Sequence, residues 1–329
     1  MSQPENRTEG AAPEQPAAAQ GSGAAAEAVQ APAAEVQTAA AALEAASLHA
    51  AERPLAPAAG RPHVVEFRNV TKTYSAGTPR AYTAIKDITF RVDDLHGHGE
   101  FIAILGPSGC GKSTILKLIA GLEPQHPPTT GEVLVRGKHV LGPGSDRGMV
   151  FQEYTAFDNR TVIDNVAFGL ECRGMARKDR HALALQWIKK VGLDPKKDAL
   201  KYPHELSGGM RQRVAIARSL ALKPQILLMD EPFGALDPLT RFRMQDLLVT
   251  LWREVEATVF FVTHSIEEAV YLGDRVYLLS NAPGMLIEEI QVPRPDRPAM
   301  VMQDEPQFLE KVRYIRDKIA RMENEAGIL

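Results

Sequence analysis

The chain has 329 residues, 44% of them hydrophobic, and a formal charge of −3. These values suit a globular protein of one large or two modest domains and give no bulk-charge sign of nucleic-acid binding. Two cysteines, Cys110 and Cys172, are too few for a disulfide framework and point to a reducing cytoplasm. The longest apolar runs, such as Ile226 to Met229 and Val259 to Val262, are strand-sized. They fall far short of the roughly 20 residues of a membrane helix, so a membrane function requires a second chain.

Residues 1–60 carry seven Glu against Arg7 and Arg53, are rich in Ala and Pro, and have few large apolar side chains and no aromatic ones. Such a composition buries too little surface to offset the entropy of ordering, which predicts a disordered tail; its Ala-rich stretch, Thr38 to Glu52, would be helical only transiently. No basic and apolar leader is present, so export is not expected. Val64 to Phe67 and Ile88 to Val92 alternate like half-buried strands, and Phe101 to Leu105 reads as a buried parallel strand. A glycine loop follows, then a helix over Thr114 to Ala120 closed by Gly121.

From about 160 to 222 the pattern is mostly helical between strand-rich parts, which predicts an inserted helical subdomain. Ile226–Met229 and Val259–Val262 flank a helix opened by Asp237 as cap and Pro238 in its first turn, implying a parallel crossover. Ser265 to Glu268 reads as a capping box, and Pro306 to Asn324 as an amphipathic helix. The expected organisation is a tail over 1–60, an α/β domain over 61–295 and a helical extension over 296–329.

Gly106-Pro107-Ser108-Gly109-Cys110-Gly111-Lys112-Ser113-Thr114 follows the buried strand and precedes a helix, the context a phosphate loop requires. Glycines let backbone N–H groups converge on phosphate oxygens, and the helix N-terminus adds positive potential at the same place. Lys112 would reach the β- and γ-phosphates of ATP, and Ser113 would ligate Mg²⁺. At the end of the strand Ile226–Met229, Asp230 and Glu231 face differently: Asp230 suits Mg²⁺, and Glu231 suits the attacking water. Cys110 is read as a small residue that lets the loop close, with a pKa that the helix N-terminus could lower, and Cys172 as a packing residue.

Leu206-Ser207-Gly208-Gly209-Met210 then separates this chain from other phosphate-loop enzymes. With it the chain resembles the ATP-binding-cassette transporter ATPases from about Val64 to Pro295. The resemblance implies an α/β phosphate-loop core with a mixed sheet, N-terminal antiparallel strands and an inserted helical subdomain. It further implies that Ser207, Gly208 and Gly209 form a second anion-binding helix terminus aimed at a γ-phosphate held by another copy of the chain. Tyr74 would stack on adenine, and Gln152 would meet Mg²⁺ and the membrane-facing loop. His264 would contact the γ-phosphate, and Asp237 would communicate across the dimer.

Met210 stands where the family usually has Gln, a variant similar to importers of nitrate, sulfonates or taurine. The expected partners are therefore a second copy, membrane permease subunits and, indirectly, an extracytoplasmic solute-binding protein, with no nucleic acid. The expected place is the cytoplasmic face of the plasma membrane, peripherally bound. Asp158-Asn159 replaces a Pro-Trp pair common in that subfamily, and Glu123 to Thr130 carries a few extra residues. A non-transport switch ATPase would carry long heptads or a cysteine cluster, absent here, and an exporter usually has a fused membrane segment.

Overall fold

The computed structural model describes residues 62–95, 99–153 and 155–325. The expected tail over 1–60 lies outside the described residues. A six-stranded sheet contains β3 (Phe101–Leu105), β6 (Arg147–Val150), β7 (Ile226–Asp230), β8 (Thr258–Thr263), β9 (Arg275–Leu279) and β10 (Leu286–Gln291), ordered β10-β9-β3-β8-β7-β6. All neighbours are parallel except β10, which runs antiparallel to β9. A four-stranded antiparallel sheet, ordered β2-β1-β4-β5, is made of β1 (Val65–Tyr74), β2 (Tyr82–Val92), β4 (Thr130–Val135) and β5 (Lys138–His139).

Period-two geometry explains why β3, β7 and β8 are apolar at nearly every position. Successive side chains leave a strand on opposite faces, and both faces of this sheet are covered. Phe101, Ala103, Leu227, Met229, Val259 and Phe261 enter one core, whereas Ile102, Ile104, Ile226, Leu228, Phe260 and Val262 enter another. The second core is shared with β1, β2 and the helix α1 (Lys112–Ala120). The first is shared with the helices α2 (Val162–Cys172), α3 (Arg177–Lys190), α4 (Gly208–Leu220), α5 (Pro238–Val255) and α6 (Ile266–Leu272).

Helix ends follow the caps written in the sequence. Thr161, Ser207, Asp237 and Ser265 each accept a hydrogen bond from an N3 amide of the helix they open, an interaction typically contributing about 1 kcal/mol. Gly121 closes α1 in the left-handed conformation at φ 75°. The capping box at Ser265 is only half formed. Glu268 N donates to Ser265 Oγ, but the Glu268 carboxylate turns to the Thr263 hydroxyl, and it is Thr263 Oγ1 that accepts from Ser265 N.

After β10 the chain forms α7 (Ala299–Met302) and α8 (Pro306–Glu325). Phe308, Val312 and Ile315 recur on one face of α8 and are buried in the core that contains α6. Asp246 of α5 pins this extension, since its Oδ1 accepts from Tyr271 Oη at 2.7 Å and from Ala299 N at 2.9 Å. Burial raises the Asp246 carboxyl above its ordinary pKa. The folded chain therefore holds this proton at a higher pH than the unfolded chain does. The stability it gives is complete below the unfolded pKa and is lost as pH rises through the folded one. Asp246→Asn keeps an acceptor and removes the charge, so its melting temperature should gain on wild type between about pH 4 and pH 8. A constant difference in thermal melts across that range would refute the assignment.

Cys172 corrects an expectation: at the last position of α2 it is exposed rather than packed. The apolar face of α2 is filled by Val162, Val166 and Leu170, leaving position 172 on the outer side. Among the described residues no helix is long and apolar enough to cross a membrane.

Candidate functional site

The site lies at the C-terminal edge of the parallel strands, where α/β sheets present their ligands. The loop Gly106–Gly111 leaves β3 and enters α1, and two of its glycines adopt left-handed backbone, Gly109 at φ 78° and Gly111 at φ 92°. A Cβ on Gly111 would sit 2.5 Å from Ile85 Cγ2 and 2.8 Å from Ala84 O, whereas Gly109 faces open space. Only glycine fits the first position, and the second leaves the main chain approachable. The first N–H groups of α1 have no acceptor inside the helix, so the loop and helix end together suit an anion.

Lys112 is 5% exposed and its ammonium donates to the carbonyls of Gly106 at 2.8 Å and Pro107 at 2.9 Å. The charged tip is thereby held across the loop it follows. Cys110 is fully buried beneath the loop, and burial raises its thiol pKa despite the nearby Lys112. That reverses the expected lowering: desolvation of the thiolate outweighs the attraction of the helix end and the ammonium.

Ser113 Oγ donates to Asp230 Oδ1 at 2.7 Å, joining the first turn of α1 to the end of β7. Burial raises the Asp230 pKa, opposed by the Ser113 hydrogen bond. Glu231, one residue further, adopts φ 44°, a left-handed backbone that costs a non-glycine residue roughly 1 kcal/mol. Its amide donates to Val262 O at 3.0 Å, so the ladder with β8 continues while the chain bends into Pro232. The bend presents the carboxylate to Gln152 Nε2 at 3.3 Å and His264 Nδ1 at 3.4 Å.

The structure thus brings Lys112, Ser113, Asp230, Glu231, Gln152 and His264 together. Tyr74, at the end of β1, joins them from the other sheet through a 3.2 Å bond between its hydroxyl and Thr114 Oγ1. Tyr82 was not foreseen; its hydroxyl donates to Gly109 O at 3.0 Å from the start of β2. No motif marks Tyr82, because its place follows from the register of β2 on β1.

Ser207, Gly208, Gly209 and Asp237 are tied to their own helices instead. Ser207 is exposed, and its hydroxyl accepts from Met210 N at 3.3 Å. Asp237 is exposed as well and accepts from Thr240 N at 3.0 Å. Behind Gln152, the loop before α2 is stapled by the buried Asn165. Its amide donates to the carbonyls of Phe157, Arg160 and Thr161, and its oxygen accepts from Phe157 N. Phe157 stands against Phe168 at 4.6 Å between centroids, with Arg218 over its ring at 5.1 Å. The departure at Asp158-Asn159 therefore sits on a rigid platform.

Comparison with known proteins agrees with this geometry. Residues 86–234 match the ABC transporter family. The nitrate import ATP-binding protein of Synechocystis is 46% identical over 231 residues, covering 70% of this chain and 83% of that protein. The taurine import ATP-binding protein of Rhizobium johnstonii is 49% identical over 214 residues, covering 65% and 78%. A solved ATP-binding cassette, dimeric and in a post-hydrolysis state with ADP and Pi, aligns with TM-score 0.60 at 35% identity over 70% of this chain and 99% of that one. With a phosphate loop, a strand-end carboxylate pair and a capped Ser-Gly-Gly helix on the fold of those cassettes, this chain is an ATP-hydrolysing member of the ABC transporter family.

Proposed function

We propose that this chain energises uptake of a small anionic solute, of the nitrate, sulfonate or taurine kind, through a separate membrane permease. Two copies would act together on the cytoplasmic face of the membrane. The observation that carries the ATPase part is the convergence of Ser113 on Asp230 and of Gln152 and His264 on Glu231 beside the phosphate loop. The cargo class is supported by the relatives named for nitrate and taurine import.

The donor set fits a nucleotide with Mg²⁺: a hydroxyl, a carboxylate and an amide oxygen are hard ligands, and the glycine loop leaves room for phosphate. Ser113, Asp230 and Gln152 would hold the ion, which supplies neutralisation of charge on the β- and γ-phosphate oxygens. Gly106, Pro107, Ser108, Gly109, Cys110, Gly111, Lys112 and Thr114 would cradle the phosphates, with Tyr74 beneath the base. Lys112 turns from its two carbonyls toward the γ-phosphate. Glu231 orients water and takes its proton, while His264 holds that carboxylate and the phosphate in line. The exposed Ser207 and Asp237, with the half-buried Gly208 and Gly209, complete the site of the second copy.

Growth tests the cargo. Deleting this gene in its source organism should abolish growth on taurine, a sulfonate or nitrate as sole sulfur or nitrogen source, while growth on sulfate with ammonium is unchanged. The wild-type gene should restore growth and a Lys112→Ala gene should not. Undiminished growth on all three solutes would overturn the assignment of cargo.

A further inference from the structure

We propose that Glu268 and Arg241 are positioning residues that couple the loop carrying His264 to the loop carrying Asp237. The inference rests on the roles proposed above for those two loops. Glu268 sits in the first turn of α6 and is 6% exposed. Its Oε2 accepts from Thr263 Oγ1 at 2.6 Å, and the same hydroxyl accepts from Ser265 N at 3.0 Å. The residues on both sides of His264 are therefore pinned by one hydroxyl, which is itself pinned by one carboxylate.

The other oxygen, Glu268 Oε1, lies 3.6 Å from Arg241 Nε, in the first turn of α5. At its far end Arg241 Nη2 donates to Leu236 O at 3.1 Å, the carbonyl directly before Asp237. A path of two hydrogen bonds joined by one ion pair thus runs from Thr263 through Glu268 and Arg241 to the turn that presents Asp237. Asp237 is exposed and so free to meet a second copy.

Two features make this path responsive rather than inert. Arg241 Nε is buried without a hydrogen-bond partner among the described residues, and the Glu268 oxygen is just out of range. A movement of roughly 0.5 Å would convert the ion pair into a bond. A carboxylate buried this deeply also depends on every partner, since removing one leaves a charge uncompensated in low dielectric. Burial raises the pKa of Glu268, and Thr263, Arg241, His264 and Gln245 oppose that effect. Displacement of His264 on loss of the γ-phosphate would therefore be felt at Leu236 and Asp237, and displacement of Asp237 by the second copy would be felt at His264.

The test uses the full chain and steady-state ATP hydrolysis. Glu268→Gln keeps the shape and an acceptor for Thr263 but loses the charge that faces Arg241. It should lower kcat about tenfold while KM for ATP stays within about twofold. Arg241→Gln should do the same, and the double variant should be no slower than the slower single one, because both break one connection. Thr263→Val should lower kcat similarly and Thr263→Ser should restore it, a comparison that remains decisive if the Glu268 variant does not fold. Independent, multiplying losses in the double variant, an unchanged kcat in Glu268→Gln, or equal rates in Thr263→Val and Thr263→Ser would each overturn the coupling. If instead Lys112→Ala hydrolyses ATP at the wild-type rate, the underlying assignment of the site fails.

Discussion

Replacing Lys112 with Ala should reduce ATP hydrolysis by at least about a hundredfold while leaving the chain folded. The ammonium lies against the loop, and its two acceptors, the carbonyls of Gly106 and Pro107, belong to the loop itself. It is therefore free to exchange the Gly106 and Pro107 carbonyls for phosphate oxygens without rearranging the core. The structural penalty is the loss of two charge-assisted bonds, about 1–3 kcal/mol, which a melt would record as a modest fall in melting temperature. Measuring hydrolysis and melting on the same preparation separates the outcomes. A variant that melts near wild type yet turns over ATP at an undiminished rate would remove Lys112 from the chemistry.

Glu231→Gln tests the other half of the site. Gln matches Glu in size and tolerates φ 44° no better or worse, so the backbone bend is left as it is and only the charge is lost. An acceptor for Gln152 Nε2 remains, whereas the base that would take a proton from water does not. Hydrolysis should fall by about 10²- to 10⁴-fold, the usual contribution of a positioned general base. With ATP the variant should elute as a dimer in size-exclusion chromatography and with ADP as a monomer, because each γ-phosphate would draw donors from both copies. A variant that remains monomeric with ATP would contradict the joint site, whatever its rate.

Much of this arrangement was legible in the sequence because its chemistry is local. The apolar run Phe101–Leu105 followed by glycines, the caps at Ser207 and Asp237, and the carboxylates after Ile226–Met229 each specify their own geometry within a few residues. What escaped depends on partners far away in the chain. Strand β6, Arg147–Val150, is short and only partly apolar, and it is a strand because β7 pairs with it. The bend at Glu231 carries no glycine to announce it. The half-formed box at Ser265 was misread because Thr263, two residues before the cap, competes successfully for the Glu268 carboxylate. The exposure of Cys172 and the rise of the Cys110 thiol pKa escaped for one reason, since spacing does not reveal which side of a loop or helix end is covered.

The bond from Tyr74 to Thr114 ties a strand of the antiparallel sheet to the first turn of α1. In the proposed site it would work as a caliper whose two jaws are set by different sheets, one for the heterocycle and the other for the anionic end of the same molecule. A slippage of β1 by a single residue would invert Tyr74 and open the gauge, so in the proposed site fidelity for a nucleotide's length would be written into strand pairing rather than into the loop around its phosphates.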